Sequence, residues 1–319
     1  MRIIVTGGSG FLGRAVIERL KRDGMKPMAM ALPGEDVKGL NTVIRGDVTD
    51  PDSLDLPEHD AVIHCAGILE SSHPSEEMMM KVNHTGTRNM FDAALKKGCR
   101  KFIFISSISA LGPHGSRERP LTEKMDPDPC DSYGRSKLEA ERYLKRASED
   151  AGTTVVVLRP SVLYGPGMNL NSSGMKIFTS IRKGIMPLVG SGDTVLNMLY
   201  VDNLVEAIML SLGVNEGYHI YHVSEAPYSQ SLIIETIERR MKRIGHRRYP
   251  KSLLWILTLL SEVVSPLLKG PPPLSWTKYR ALTGSIWAMS SDRIREELGF
   301  SEIVSLEEGV DRTCSFYGW

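Results

Sequence analysis

Gly7, Gly10 and Gly13 follow directly on the apolar run Ile3-Ile-Val-Thr6, and an amphipathic stretch begins at Phe11. This order reads as strand, tight turn, helix. At this spacing the first glycine permits the turn, the second lets the backbone approach a pyrophosphate, and the third lets helix and strand pack closely. A Cβ would obstruct each of these. The free N–H groups and positive dipole end of a helix starting near Phe11 would then receive phosphate. A ligand-free Gly-rich turn is the bland alternative, and the preceding apolar strand argues against it.

The chain has 319 residues and no low-complexity linker, which favours one two-lobed unit over two independent domains. With 39 Lys+Arg against 38 Asp+Glu, no global field would recruit nucleic acid. Cys65, Cys99, Cys130 and Cys314 are scattered, with neither metal-ligand spacing nor a disulfide framework, and His219 and His222 have no acidic or cysteine partner nearby. No metal site is expected. The start of the sequence shows no export signal, so a reducing cytoplasm is the expected compartment.

Apolar runs at residues 28–31, 42–44, 61–64, 101–105 and 154–158 alternate with helical patterns at 76–97 and 133–149. Strands alternating with helices predict an α/β fold with a doubly wound parallel sheet. From about Gly165 the pattern changes to Gly, Pro and Asn clusters between helices near 176–183 and 202–212. Residues 1–164 are read as a dinucleotide-binding lobe. Residues 165–319 are read as a smaller, mostly helical substrate lobe, with 196–224 returning to the first through a strand at 218–223.

Residues 252–268 form an apolar helical pattern with a narrow polar stripe, too apolar for an ordinary surface helix. Glu262, Pro266 and the Gly270-Pro-Pro-Pro273 stop oppose a membrane-spanning reading. Arg239, Arg240, Lys242, Arg243, Arg247, Arg248 and Lys251 lie just upstream. Two readings stay open: a peripheral membrane contact or lid, and a helix packed within its lobe or on a second subunit.

Tyr133 and Lys137 are four residues apart at the start of a helical pattern and share a face. A fixed ammonium beside a phenol favours the phenolate, so the spacing predicts a lowered Tyr133 pKa and proton exchange near neutrality. Strand five ends in Phe104-Ile-Ser-Ser107, placing a hydroxyl at the carboxyl edge of the sheet, where open α/β folds bind ligands. Ser107 there is suited to orient a carbonyl or carbinol oxygen.

With the loop, Ser107 and the Tyr133/Lys137 pair, the chain resembles the extended short-chain dehydrogenase/reductase family, which includes epimerases and dehydratases. Its pattern is nearest to the hydroxysteroid dehydrogenase and dihydroflavonol reductase-like members. The resemblance extends through Gly46-Asp-Val48, His64-Cys-Ala-Gly-Ile68, Val82-Asn83, Leu158-Arg-Pro160, Tyr164-Gly-Pro-Gly167 and Tyr200-Val-Asp202. It implies a catalytic set of Ser107, Tyr133 and Lys137, with the last two also touching the cofactor. It implies that Thr6, Gly7, Gly10, Phe11, Leu12 and Gly13 hold the pyrophosphate, and that Asp47 and Val48 border the adenine. Ala66 and Gly67 would line the cofactor, and Pro160 and Val162 would approach the nicotinamide. A homodimer is also implied.

Two departures qualify this. Strand two ends in Ala31-Leu-Pro-Gly34, without the acid that takes the ribose of NAD or the Arg that meets the phosphate of NADP. Glu35 and Asp36 from the next loop, or Arg14 from the helix, are the substitutes, and the cofactor is read as NAD or NADP, leaning to NAD. Nucleotide-sugar relatives also grip a diphosphate with an Asn and an Arg that align here with Val162 and Leu196, and the Tyr after the catalytic Ser is Leu111. An apolar side chain cannot replace a charge-assisted contact. The expected function is oxidation of a secondary alcohol, or reduction of a ketone, on a lipophilic or modestly polar small-molecule substrate. A nucleotide-sugar 4-epimerase or dehydratase and a non-catalytic dinucleotide-binding subunit are the alternatives.

Overall fold

The computed structural model describes residues 1–37, 39, 40, 42–69, 74–265 and 274–319. The end of the apolar stretch, at 266–268, and the Pro-rich stop at 270–273 lie outside the described residues. The strands are β1 (Ile3–Thr6), β2 (Met28–Ala31), β3 (Val43–Arg45), β4 (Ala61–His64), β5 (Lys101–Ile105), β6 (Thr154–Pro160), β7 (Val162–Tyr164), β8 (Met186–Val189), β9 (Val195–Leu196), β10 (Met198–Tyr200), β11 (Tyr218–Val223), β12 (Tyr228–Ser229) and β13 (His246–Tyr249). The helices are α1 (Phe11–Arg22), α2 (Glu76–Met79), α3 (Gly86–Lys96), α4 (Ser132–Ala151), α5 (Ser173–Arg182), α6 (Val201–Ser211), α7 (Gln230–Met241), α8 (Lys251–Val264), α9 (Trp276–Thr283), α10 (Asp292–Leu298) and α11 (Leu306–Tyr317).

Alternation along each strand sends successive side chains to opposite faces of one sheet. Ile3, Val5, Ile63, Ile103 and Val156 pack on one side, while Ile4, Val62, Phe102, Phe104 and Val155 pack on the other. With both faces covered, these strands read as continuous apolar runs. The seven strands are all parallel, in the order β11-β6-β5-β4-β1-β2-β3. The order reverses at β1, where β4 and β2 flank it. A ligand crevice opens at such a switch point, beyond the carboxyl ends of the strands.

The chain re-enters this sheet late, with Tyr218 to Val223 in register against Val155 to Pro160. In between, β7 pairs with β10, β8 with β13 and β9 with β12, each outside the large sheet. Tyr164, Phe178, Met198, Tyr200 and Ile234 anchor a third core there. Buried polar groups join the layers. Asn203 donates to the Val304 carbonyl and to Glu225, whose carboxylate also accepts from the Tyr200 N–H at 2.6 Å.

The helical pattern at 76–97 holds one departure from a continuous α-helix. Between α2 and α3, Met80–Thr85 forms a π-helical turn, a widening that often marks functional sites. It turns Asn83 fully inward.

Candidate active site

The glycine loop spans the turn from β1 into α1. Gly7 lies at φ 63°, where only glycine is unstrained, and its carbonyl accepts from the Gly10 N–H at 2.9 Å. A Cβ on Gly13 would stand 2.1 Å from that same carbonyl oxygen. Gly10 caps α1 without a side-chain hydrogen bond, and no acidic residue occupies the helix's first turn. The first-turn N–H groups are thus left for an anion. The absent Cβ atoms, free donors and dipole suit a dinucleotide pyrophosphate. Phe11 and Leu12 turn the other way, against the third core.

Thr6, at the end of β1, ties the loop to β4. Its hydroxyl accepts from the Ala66 N–H at 3.1 Å and lies 2.8 Å from His64 Nδ1. The Thr87 hydroxyl, 3.1 Å from His64 Nε2, gives its own proton to the Asn83 carbonyl. His64 therefore carries its proton on Nε2 and accepts at Nδ1 from Thr6. Burial, reinforced by the Lys137 ammonium, pushes His64 down to about 3 and keeps it neutral. Asn83 holds the loop after β4, accepting from the Ile68 N–H at 2.9 Å and donating to the Ile68 carbonyl and the Ser136 hydroxyl. Gly67 lies in that loop, where a Cβ would be 3.0 Å from Asn83 Oδ1 and 3.4 Å from Lys137 Nζ.

Asp131 starts α4 by accepting from the Gly134 N–H at 2.6 Å. A Cβ on Gly134 would fall 2.2 Å from the Ser109 carbonyl oxygen, so helix and post-β5 turn meet at closest approach. This brings Tyr133 and Ser107 together, with the Ser107 hydroxyl, which accepts from the Ser109 N–H at 3.1 Å, near enough to the phenol to favour its ionised form. Ser106 points the opposite way, to Glu141, which also receives a bidentate pair from Arg159 at 3.0 and 2.6 Å. That buried set fixes β6 to α4 beneath the site.

Lys137 is buried and donates to the Ile105 carbonyl at 2.9 Å, its Nζ 4.9 Å from the Phe104 ring centroid and 6.0 Å from that of Tyr133. The Tyr133 pKa is raised, not lowered as the spacing to Lys137 predicts. Burial pushes the phenol up to about 12; the nearby Ser107 hydroxyl opposes this, and Asp131 adds to it. Burial also brings Lys137 down to about 8, with Cys65 and Glu141 holding it up. With Lys137 turned to the Ile105 carbonyl, burial and not the ammonium sets the direction of the Tyr133 shift.

Ala31, at the end of β2, is buried and has no acidic side chain, but Glu35 supplies one from the next loop. Its Oε2 accepts from the Ser9 hydroxyl of the glycine loop at 2.6 Å and from the Leu32 N–H at 3.2 Å. The Arg45 guanidinium holds this loop through the Leu32 and Glu35 carbonyls. Arg14 instead turns back to the Gly10 carbonyl. Asp47 and Val48 follow β3; Asp47 accepts from the Thr49 N–H, and Val48 packs against Gly86 of α3. Pro160 is buried, and Val162 pairs with Met198 in β10. Leu111 is buried with Ile108, Leu121 and Met289, with Trp287 packed alongside, in an apolar cluster next to the Ser107 turn. His219 and His222 lie within β11, and no metal-binding group of three or more His, Cys, Asp or Glu occurs among the described residues.

His64, Asn83 and Ser9 were not picked out as site residues by sequence reasoning. A polar residue inside an apolar helical pattern was the available signal for Asn83; for the other two, only the fold supplies the partner.

A family model described as the NAD dependent epimerase/dehydratase family matches residues 3–224. The 3beta-hydroxysteroid-dehydrogenase/decarboxylase isoform 1 of Arabidopsis thaliana is 27% identical, over 98% of this chain and 79% of its own length. The 2-alkyl-3-oxoalkanoate reductase of Stenotrophomonas maltophilia is 28% identical over 98% of both chains. Among solved structures, UDP-glucose 4-epimerase from Thermotoga maritima superposes with a TM-score of 0.78 at 22% identity, covering 100% of this chain and 99% of the other.

Proposed function

The chain belongs to the NAD dependent epimerase/dehydratase family, of the extended short-chain dehydrogenase/reductase type, and from that premise we propose that it interconverts a secondary alcohol and a ketone on a lipophilic substrate. The observation that carries this reading is the meeting of Ser107, Tyr133 and Lys137 at the carboxyl edge of the sheet, next to the apolar cluster around Leu111. The nicotinamide, when bound, supplies the hydride acceptor or donor. Thr6, Gly7, Gly10 and Gly13 hold the pyrophosphate, with Ala66 and Gly67 lining the path beyond them. Pro160 and Val162 flank the nicotinamide end, and Asp47 and Val48 the adenine end.

Ser107 fixes the substrate oxygen by a hydrogen bond. Tyr133, protonated across the neutral range with its pKa near 12, gives its proton to a ketone oxygen during reduction; in oxidation the phenol first gives its proton to solvent, and the phenolate then takes the alcohol proton as hydride leaves for the nicotinamide. Lys137 has three N–H donors and commits one to Ile105, leaving two for a ribose hydroxyl and for the charge that develops on Tyr133. Glu35 accepts from ribose hydroxyls, which favours NAD because a 2′-phosphate there would face a carboxylate. Val162 and Leu196 offer no donor to a nucleotide-sugar diphosphate. The named activities of the plant and Stenotrophomonas relatives support a hydroxyl–ketone exchange of this kind.

Calorimetric titration of the dinucleotide-loaded protein with UDP tests the substrate class. The reading expects no binding tighter than about millimolar, since charge-assisted donors are missing. Micromolar binding would return the chain to the nucleotide-sugar epimerases.

A further inference from the structure

Helix α8 is oriented with its polar side inward. Thr258 is fully buried, Ser265 is 9% exposed, the Ser261 hydroxyl accepts from the Leu274 N–H, and a Glu262 oxygen accepts from the Trp276 N–H. Outward stand Trp255, Ile256, Leu257, Leu260, Val263 and Val264, each between 41% and 64% exposed. At about 100° per residue they cover roughly 200° of the helix circumference. A surface helix ordinarily does the reverse. Trp276, 37% exposed, packs edge-on to Trp255 at 6.1 Å and widens the patch with aromatic surface.

The chain entering α8 is basic. Lys242, Arg243, Arg247 and Arg248 are exposed, and the run from Lys242 to Lys251 contains no acid. Glu238, the acid preceding this run in the sequence, faces inward, accepting from the Gly245 and His246 N–H groups, while Lys251 at the end of the run shares a surface pocket with Glu118 and Asp193. Ile244 is 82% exposed in the midst of these cations.

We propose that α8 and the basic run 242–251 form a docking surface for an anionic lipid bilayer, with α8 lying in the interface plane. A partner helix covers only a narrow seam, whereas the exposed apolar arc here extends around more than half of the cylinder. An interfacial bilayer layer covers the whole arc, and anionic headgroups match the flanking cations. No helix among the described residues is long and apolar enough to cross a membrane. The docking surface is independent of the catalytic reading and stands or falls separately from it.

Flotation of the full-length protein with phosphatidylcholine vesicles, with and without 30 mol% phosphatidylglycerol, at low and high salt, is the test. The protein is expected to float with the anionic vesicles and to be partly released by salt. I256Q/L260Q/V263Q should weaken partitioning at least roughly tenfold. R247Q/R248Q should weaken it roughly 30-fold on anionic vesicles only, from about 1 kcal/mol per basic side chain at such a surface. Unchanged thermal melts show that both variants fold. Protein that stays unbound to both vesicle types overturns the proposal, as does a stable dimer dissociated by the apolar substitutions.

Discussion

Tyr133→Phe lowers kcat for ketone reduction by roughly 10²–10⁴-fold while leaving dinucleotide affinity within about twofold. The substitution removes one hydroxyl and keeps the ring that sits near Lys137 and beside the Ser107 turn, so packing barely changes. The lost group is the proton donor to the developing alkoxide. Wild-type reduction should be flat from about pH 5 to 7, because the phenol titrates only near 12 and stays protonated. It should fall as pH rises past about 8, where the buried Lys137 ammonium loses its proton and its charge. The direction follows from Lys137 having its pKa depressed: the charged form is present below that value and lost above it. Steady-state kinetics from pH 5 to 10, paired with cofactor titration, check both parts. A Phe variant with wild-type kcat would remove Tyr133 from the mechanism.

Gly13→Ala is the second large effect, and it acts on binding. The added Cβ would meet the Gly7 carbonyl oxygen at 2.1 Å, the Gly7 carbonyl carbon at 2.8 Å and Gly8 Cα at 3.0 Å. All three are backbone atoms, so no flexible side chain can yield. Either α1 moves off β1 or the Gly7 turn opens, and the Gly7–Gly10 hydrogen bond is lost with it. Overpacking of this kind costs about 1–3 kcal/mol of stability, and displaced donors should weaken dinucleotide binding at least roughly 100-fold. Gly24→Ala is the control: its Cβ would meet nothing within 4 Å, but its φ of 77° strains any other residue. It should lower the melting temperature without touching affinity. Thermal melts with and without NAD distinguish the two, and equal losses of affinity in both variants would contradict the loop assignment.

Much of this arrangement was legible in the residues. The apolar runs at 28–31, 61–64 and 101–105 carry a strong signal because parallel strands buried on both faces must be apolar throughout. Spacing together with the apolar strand ahead of each marked the glycine loop and the Tyr133/Lys137 pair. Spacing could not give the direction of Lys137 Nζ, and the sign of the Tyr133 shift depends on that direction and on burial. Nor could it find Glu35 bonded to Ser9, since a loop acid reaches the glycine turn only once β2 and the following chain have folded back. The stripe on α8 was visible as a period, but a period has no inside or outside, and the helix proved to turn its polar side to the protein. The π-helical turn at Met80–Thr85 leaves no mark in a hydrophobic pattern that is helical on both sides.

The central claim is net exchange of alcohol and ketone, and the nicotinamide absorbance tests it most directly. The protein, given NAD or NADP and lipophilic secondary alcohols, sterols among them, is predicted to accumulate one reduced cofactor per ketone formed. Absorbance that stays level for every such alcohol, while UDP-glucose is converted to its 4-epimer, would contradict it.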